Sequence, residues 1–282
     1  MHRFTRVRRS PRLLALVVGG LLALGAVALA ADTPAPAITT FTPHSERQIT
    51  NIDVLRQQIR NYYGDPLGTG TFADDSNYAK EARSVAGQGE RWIAARAHGH
   101  SSKAKMQAIL LDVDDTSLAT WNYEIFSNWA FNPTTNGQFV TEQRFPAVPG
   151  MVELTQQAAK LGYAIFFLTG RGSAQEPATL GNLTSDGVGV DAGYPSPTTL
   201  KNGEDGLFTK PAVAAYPDYL KAACASDPNG SCTTIHYKSA TRAHIESLGY
   251  DIVANFGDQF SDLEGGFADN TFKMPNPNYF LP

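Results

Sequence analysis

The chain has 282 residues, of which 42% are hydrophobic and 18% are charged, and its formal net charge at pH 7 is −4. This length is sufficient for one large domain, or for a core with a small insert. No run of basic residues follows the first twelve positions, so the charge pattern argues against a nucleic-acid polymer as a partner.

The first thirty residues have the pattern of a secretory signal peptide. Five arginines between positions 3 and 12 precede an apolar run at 13–29, and a small-x-small cleavage sequence ends at Ala30. An uncleaved membrane anchor is the alternative, although the apolar run is near the short limit for a span. We therefore expect a secreted, extracytoplasmic protein that has no membrane contact after cleavage. Loss of the five arginines would move the formal charge from −4 to −9.

Residues 31–44 are rich in proline, alanine and threonine, and this composition predicts a flexible linker. The predicted folded domain therefore comprises residues 45–282. Apolar residues recur at helical spacing from Ile49 to Tyr63 and again from about residue 76 to residue 97. These two N-terminal helices are expected to pack on the core.

A predicted apolar strand at residues 107–113 runs into a cluster of acids: Asp112, Asp114 and Asp115. Burying three acids together is unfavourable unless something positive lies among them. The cluster therefore indicates a metal or catalytic site, and a solvated acidic turn after an edge strand is the alternative.

Three further apolar stretches predict strands at residues 163–168, 233–237 and 250–256, and helices are predicted at 151–161, 174–183, 209–223 and 240–248. This alternation predicts an α/β fold, with a Rossmann-like, mostly parallel sheet that has helices on both faces. Ligands bind such sheets at the carboxyl ends of the strands. The predicted strand ends carry a set of polar residues that should converge on one crevice: Asp112, Asp114, Thr169, Lys238, Asp258 and Asp262.

Residues 117–149 are aromatic and contain two turn signals, which predicts an irregular insert just past the acidic cluster. We interpret it as a small cap over the crevice; ordinary packing beside the core is the alternative. The candidate substrate contacts in it are Trp121, Asn122 and Tyr123.

The crevice residues have a combined chemistry that suits phosphoryl transfer. Asp112 and Asp258 are expected to bind Mg²⁺, with Asp262 binding directly or through water, because this ion prefers hard oxygen ligands. Lys238 would add a second positive charge. The Thr169 hydroxyl and the N–H groups of the adjacent backbone, at Gly170, could donate to phosphate oxygens. One carboxylate could attack phosphorus while a second, two residues away, moves protons.

Four segments carry a specific resemblance: LDVDDT, FFLTGR, YKSATR and FGDQFSD. In this order they resemble the four motifs of the haloacid dehalogenase-like (HAD) superfamily. Over residues 45–282 the chain looks most like the secreted class B-type (subclass IIIB) acid phosphatases, relatives of plant acid phosphatases and vegetative storage proteins.

The resemblance implies a role for each matching residue. Asp112 corresponds to the nucleophile, Asp114 to the general acid/base, and Lys238 to the lysine of the third motif. Thr169 corresponds to the phosphate-binding hydroxyl and Asp258 to the main metal ligand, with support from Asp262 and from the backbone carbonyl of Asp114. Apart from the resemblance, Asp115 is expected to support the site residues or to be structural. Two arginines, Arg171 and Arg242, are expected to anchor loops by ion pairing, and contact with phosphate is the alternative for either.

The predicted function is therefore an exported, Mg²⁺-dependent acid phosphatase that hydrolyses small phosphomonoesters through an aspartyl-phosphate intermediate. A non-enzymatic storage or phosphate-binding protein on the same fold is one alternative. Phosphotransfer to an alcohol acceptor is another. The sequence does not indicate an oligomeric state.

Two cysteines, Cys224 and Cys232, bracket a segment of turn-forming residues. In an exported protein this spacing predicts a local disulfide. Two free buried thiols are the alternative, and two cysteines alone are too few for a metal site.

Overall fold

The structure of the protein, a computed structural model, describes residues 42–97 and 105–281. The predicted signal peptide and most of the predicted linker lie outside these residues. Within the described part, no helix has both the length and the apolar character that crossing a membrane requires. Nine α-helices lie in the described residues: α1 Ile52–Tyr62, α2 Asn77–Arg96, α3 Trp121–Ser127, α4 Pro133–Thr141, α5 Met151–Lys160, α6 Glu176–Thr184, α7 Asp218–Ala223, α8 Thr234–Ser247 and α9 Phe260–Leu263.

A five-stranded parallel sheet forms the centre of the fold. Its strands are β1 Met106–Leu111, β2 Ala164–Gly172, β3 Leu207–Lys210, β4 Tyr250–Gly257 and β5 Thr271–Lys273. They lie in the order β3-β2-β1-β4-β5, and every pair is parallel. The predicted α/β class with a parallel sheet is therefore confirmed.

Helices cover both faces of the sheet because successive side chains of β1 are buried on opposite sides. Ile109 and Leu111 belong to one core cluster, which also contains residues of α2 and α5. Ala108 and Leu110 belong to a second cluster, which contains residues of α7 and α8. A strand that is buried on both faces reads as a continuous apolar run, which is why the sequence predicted β1, β2 and β4.

The two N-terminal helices lie where they were predicted. The Asn51 side chain accepts the backbone N–H groups of Asp53 and Val54 at the start of α1, and Ser76 accepts the N–H of Ala79 at the start of α2. These caps satisfy N–H groups that have no partner within the helix. Gly89 in α2 permits close packing on the sheet, because a Cβ atom there would lie 2.6 Å from the Phe256 ring of β4.

The register of the sheet brings the predicted strand ends to a common level. Leu111 of β1 pairs with Phe167 of β2 and with Phe256 of β4. The polar residues that follow Leu111, Phe167 and Phe256 therefore lie at nearly the same level along the strand direction. This alignment places the ends of β1, β2 and β4 around one crevice.

The predicted strand at 233–237 is wrong, because these residues open helix α8. The Thr233 hydroxyl accepts the backbone N–H of His236 at 3.2 Å, which makes Thr233 the N-cap of the helix. Lys238 consequently lies on a helix and not after a strand. The remaining strands of the sheet, β3 and β5, are short and were not predicted. The predicted helix at 209–223 is likewise reduced to α7, since Lys210 ends β3.

The insert at residues 117–149 contains two helices where an irregular segment was expected. The Asn132 side chain caps α4 by accepting the N–H groups of Thr134 and Thr135. Trp121 at the start of α3 stacks on Tyr63 at 4.1 Å between ring centroids, with an interplanar angle of 3°. This stack joins the insert to the N-terminal helices.

The structure confirms the predicted disulfide between Cys224 and Cys232. Both residues are buried, and their Cα atoms are 4.9 Å apart. The bond joins the end of α7 to the residue that precedes the α8 N-cap. It therefore secures the start of the helix that carries Lys238.

Candidate active site

Asp112 and Lys238 form a buried ion pair at the carboxyl end of β1. The Lys238 ammonium donates to Asp112 Oδ1, to the Leu168 carbonyl at 2.6 Å, and to Asp262 Oδ1 at 2.9 Å. Burial alone would lower the pKa of Lys238, but Asp112 and Asp262 raise it above its ordinary value. The lysine is therefore held in its charged form between the two carboxylates.

Asp258 follows β4 and is held by three hydrogen bonds from neutral donors. The Gln259 amide donates to Asp258 Oδ2 at 2.6 Å, and the Asn276 amide donates to the same oxygen at 2.7 Å. The Thr116 hydroxyl donates to Oδ1 at 3.3 Å. Burial, followed by the negative charges of Asp262 and Asp115, raises the pKa of Asp258 to about 7.

Three of these carboxylates fit a divalent cation. Asp112, Asp258 and Asp262 each have an oxygen within 4.8 Å of the others, and all three residues are buried. The Lys238 ammonium contacts two of the three, Asp112 and Asp262, so the three carboxylates carry more negative charge than this ammonium offsets. Burial and the neighbouring Asp262 accordingly raise the pKa of Asp112 well above its usual range. Hard oxygen donors with an uncompensated negative charge are the donor set that Mg²⁺ binds in proteins.

Asp114 lies two residues beyond Asp112 and pairs with Arg171. Arg171 Nη2 lies 2.6 Å from Asp114 Oδ1, and Nε lies 3.0 Å from Oδ2, so the contact is bidentate. The same guanidinium donates from Nη1 to the Thr179 hydroxyl at 3.0 Å. The predicted ion pairing of Arg171 is thus present, and its partner is the carboxylate predicted to move protons. This pair fixes the orientation of Asp114 at the cavity wall.

Thr169 and Gly170 lie in the carboxyl-terminal part of β2, and of these two predicted site residues only Gly170 lines the cavity. The Thr169 hydroxyl is fully buried and accepts the backbone N–H of Arg171 at 3.1 Å. Gly170 lines the cavity, and no atom lies within 4 Å of the position that its Cβ would occupy. The end of β2 therefore leaves space beside the backbone of Gly170 for a ligand atom.

Two residues near the motifs hold loops. Asp115, with a φ of 52°, accepts the backbone N–H of Thr120 at 2.9 Å and its hydroxyl at 2.6 Å. Arg242 is fully buried and donates to the backbone carbonyls of Asp262 and Gly266 at 2.6 and 2.7 Å, and to that of Glu264. Arg242 therefore anchors a loop, as expected. The contacts that do so are hydrogen bonds to backbone carbonyl groups, where ion pairing was expected.

A cavity of about 450 Å³ opens over the carboxylates. The insert and the C-terminal tail supply much of its wall. Lys210, at the end of β3, also lines the cavity and donates to the Cys232 carbonyl at 3.0 Å. The insert and the tail contribute Tyr123, Glu124, Trp129, Phe131, Asn136, Asn278, Tyr279 and Leu281.

Of the three substrate contacts suggested in the insert, only Tyr123 lines this cavity. Trp121 is buried, and its indole N–H donates to Asp65 at 3.0 Å. The Asn122 amide donates to the Arg144 carbonyl at 2.9 Å. Residues that line the cavity from α4 and from the tail were missed, because neither segment contains a recognisable motif.

Curated plant proteins resemble the chain over part of its length. Acid phosphatase 1 of Solanum lycopersicum is 28% identical over 181 residues, which are 61% of this chain and 58% of that protein. The stem 28 kDa glycoprotein of Glycine max is 32% identical over 54% of this chain and 50% of its own length. Vegetative storage protein 2 of Arabidopsis thaliana is 29% identical over 61% of this chain and 56% of its own length. The chain thus spans little more than half the length of these relatives.

Solved structures with the same fold include the class C acid phosphatase from Bacillus anthracis. One structure of it has a TM-score of 0.56 at 19% identity, and the match covers 80% of this chain and 85% of that one. A second, with tungstate bound, has a TM-score of 0.53 at 20% identity. At this identity the likeness shows the fold alone. The family match is broader, since it covers residues 35–282, and the chain belongs to the HAD superfamily, subfamily IIIB (acid phosphatase).

Proposed function

We propose that this protein is an exported, Mg²⁺-dependent acid phosphatase that hydrolyses small phosphomonoesters through an aspartyl-phosphate intermediate. The observation that carries the proposal is the buried group of three carboxylates and one lysine at the floor of a cavity. Family membership gives independent support for phosphatase chemistry. The cavity is larger than a phosphoryl group needs, which is consistent with a substrate that carries a small organic leaving group.

Asp112 is the nucleophile in this proposal. One of its carboxylate oxygens attacks phosphorus, the bond between phosphorus and the leaving oxygen breaks, and the acyl phosphate forms on Asp112. Asp114, in its protonated form, gives its proton to the leaving oxygen. In the second half of the reaction Asp114 accepts a proton from water as that water attacks phosphorus, and inorganic phosphate leaves.

The other site residues neutralise charge and position the substrate. Lys238 compensates the charge of Asp112 and of the incoming phosphate, and it keeps the carboxylate in one orientation. Thr169 and the backbone N–H of Gly170 donate to phosphoryl oxygens. Arg171 holds Asp114 against the cavity wall, beside the leaving oxygen.

Asp112, Asp258 and Asp262 would hold the cation, together with the backbone carbonyl of Asp114. A Mg²⁺ ion at this position supplies positive charge that offsets the carboxylates and polarises the phosphoryl group. The Gln259 and Asn276 amides keep Asp258 directed toward the other two carboxylates.

The N-terminal segment is proposed to direct export. Residues 1–30 would be the signal peptide, 31–44 a linker, and 45–282 the phosphatase domain with 117–149 as a small cap. The disulfide between Cys224 and Cys232 supports an oxidising compartment. Mass determination of the secreted protein should show an N-terminus at Ala31; retention of residues 1–30 in the secreted form would contradict the assignment.

A non-enzymatic storage protein is a second candidate, because vegetative storage proteins are among the relatives. The presence of Asp112 and of all four motifs favours the enzyme, since a storage role requires none of these groups.

Hydrolysis of a chromogenic aryl phosphate tests the proposal. Wild type should be active with Mg²⁺ and inactive after chelation, and Asp112→Asn should lower kcat by about a thousandfold or more. Asp218→Asn is the matched control, because Asp218 is fully exposed on α7 and does not line the cavity. Activity that survives chelation or the Asp112 substitution would contradict the mechanism. No activity toward any phosphomonoester would favour the storage protein.

A further inference from the structure

Glu124 has a carboxyl group in the cavity wall that has no hydrogen-bond or ion-pair partner in the described part of the chain. It lies on α3, is 8% exposed, and borders the same cavity as Asp112. Among the described residues, no hydrogen bond or ion pair reaches its carboxylate oxygens, whereas its backbone carbonyl accepts the Trp129 N–H at 3.0 Å and the Ser127 hydroxyl at 3.4 Å. Burial raises the pKa of Glu124 to about 7.

The other buried carboxylates of the site differ from Glu124 in this respect. Asp112 and Asp262 contact Lys238, Asp115 accepts two hydrogen bonds from Thr120, and Asp258 accepts three from neighbouring side chains. A buried carboxyl group without such partners is unfavourable when it is ionised. Its exposure to the cavity means that a bound ligand can provide the missing contact.

Aromatic residues line the same cavity, and one of them, Trp129, already has the guanidinium groups of Arg56 and Arg60 at 5.8 Å from its ring centroid. Tyr123 lies beside Glu124 on α3, while Trp129, Phe131 and Tyr279 also line the cavity. The faces of such rings attract cations, most strongly when the site is shielded from water. A carboxylate together with several aromatic rings suits a positively charged organic group better than a neutral one, because a neutral hydrogen-bond donor would leave the carboxylate charge uncompensated.

We propose that the substrate is a phosphomonoester of an amino alcohol or a quaternary ammonium alcohol, and that Glu124 determines this specificity by contacting the cationic end. The inference rests on the proposed phosphatase function. The phosphoryl group occupies the floor of the cavity over Asp112, and the cation lies against the insert. Glu124 binds the leaving group and takes no part in bond breaking.

Three substrates of similar size test the inference. Choline phosphate carries a quaternary ammonium, 3,3-dimethylbutyl phosphate is its uncharged isostere, and ethanolamine phosphate carries an ammonium that can donate hydrogen bonds. Wild type should prefer choline phosphate over the isostere by about tenfold or more in kcat/KM. If kcat/KM is larger for ethanolamine phosphate than for choline phosphate, the contact is a hydrogen bond from an ammonium group. If it is smaller, the cation is bound by the aromatic rings together with the carboxylate.

Glu124→Gln keeps the shape of the side chain and removes its charge. It should reduce the preference for choline phosphate over the isostere to within about threefold, mainly through KM. Glu142→Gln is the matched control, because Glu142 is an exposed carboxylate of the same insert that lies outside the cavity lining, and this variant should keep the wild-type ratio.

Equal kcat/KM values for choline phosphate and the isostere in wild type would overturn the inference, as would a ratio that survives Glu124→Gln. If wild type hydrolyses an aryl phosphate but shows no preference, the phosphatase proposal stands and the specificity proposal fails. If no phosphomonoester is hydrolysed, the phosphatase proposal fails. Calorimetric binding of choline to wild type and to Glu124→Gln then decides the inference by itself, since equal or absent binding refutes it.

Discussion

Replacement of Glu124 by glutamine should change how the stability of the protein depends on pH. Burial raises the pKa of Glu124 from 4.5 to about 7 in the folded protein. Each pH unit of such a shift corresponds to about 1.4 kcal/mol, so the full difference is about 3 kcal/mol. Since the folded state favours the protonated carboxyl, the stabilisation is complete below pH 4.5 and is lost as the pH rises through about 7.

The glutamine variant has no such loss, because its side chain does not ionise. The difference in unfolding free energy, variant minus wild type, should therefore rise by up to about 3 kcal/mol between about pH 4.5 and pH 7.5. Water in the cavity will reduce this figure, so a rise of about 2 kcal/mol already meets the expectation. Titrations that are independent of Glu124 cancel in the difference, whereas that of Asp115 does not, because the charge of Glu124 contributes to the raised pKa of Asp115.

Urea denaturation in parallel at several pH values, without added metal or substrate, measures this difference. Glu142→Gln is the control for removing a carboxylate from the same insert, since Glu142 is exposed and lies outside the cavity lining. A flat difference for Glu124→Gln would refute the reasoning, since it would mean that the buried carboxyl has a solvated or paired environment. A difference that falls with pH would show that the ionised carboxylate is stabilised in the folded protein.

Four further outcomes are expected. Arg242→Met should lower the unfolding free energy by about 3 kcal/mol or more, because three loop carbonyls lose a buried donor; an unchanged urea midpoint would contradict this. Mg²⁺ at one hundred times its dissociation constant should stabilise wild type by about 2.7 kcal/mol, and Asp258→Asn should lose most of this shift in thermal melting. The Cys224→Ser/Cys232→Ser double variant should be less stable by about 2.6 kcal/mol in the chain-entropy account, and equal stability in oxidant and reductant would argue against it. Arg171→Lys keeps the charge but not the planar fork, so kcat for an aryl phosphate should fall about tenfold or more, whereas an unaltered kcat would exclude the positioning role.

The sequence predicted the central strands because each is buried on both faces. β1, β2 and β4 read as continuous apolar runs for this reason, and the polar residues after them mark the crevice. β3 and β5 have four and three residues, which is too short for any periodicity to be recognised. Their places in the sheet depend on contacts with β2 and β4, and these long-range contacts leave no local pattern.

The candidate site was predicted where it depends on local motifs. Asp112, Asp258 and Asp262 meet as expected, although their catalytic and metal-binding roles stay predictions. The Asn276 amide, which donates to Asp258, was not predicted. It reaches the site from the C-terminal tail, eighteen residues further along the chain, and a lone asparagine beside two prolines indicates only a turn.

The insert shows a second limit of pattern reading. Its aromatic residues were taken together as a cap, yet they divide into two groups with different environments. Trp121 is buried against Tyr63, whereas Trp129 and Phe131 line the cavity. Periodicity cannot make this division, because two consecutive residues with positive φ, Asn128 and Trp129, interrupt the helical pattern between α3 and α4. Positive φ values are uncommon for residues other than glycine, so the sequence did not predict them at these two positions.

Lys238 does lie beside Asp112, as expected, but the structural argument that placed it there was incorrect. β-branched residues at 233–235 favoured a strand. If they had formed one, the sheet alone would have determined the position of Lys238 just past the strand end. The structure places it by a helix, whose start is fixed by the Thr233 cap and by the disulfide at Cys232. The ammonium consequently approaches Asp112 from a separate layer of the fold. A change that moves α8 can therefore separate Lys238 from Asp112 without disturbing the strands, so stability of the α7–α8 connection is a condition for the charge balance of the site.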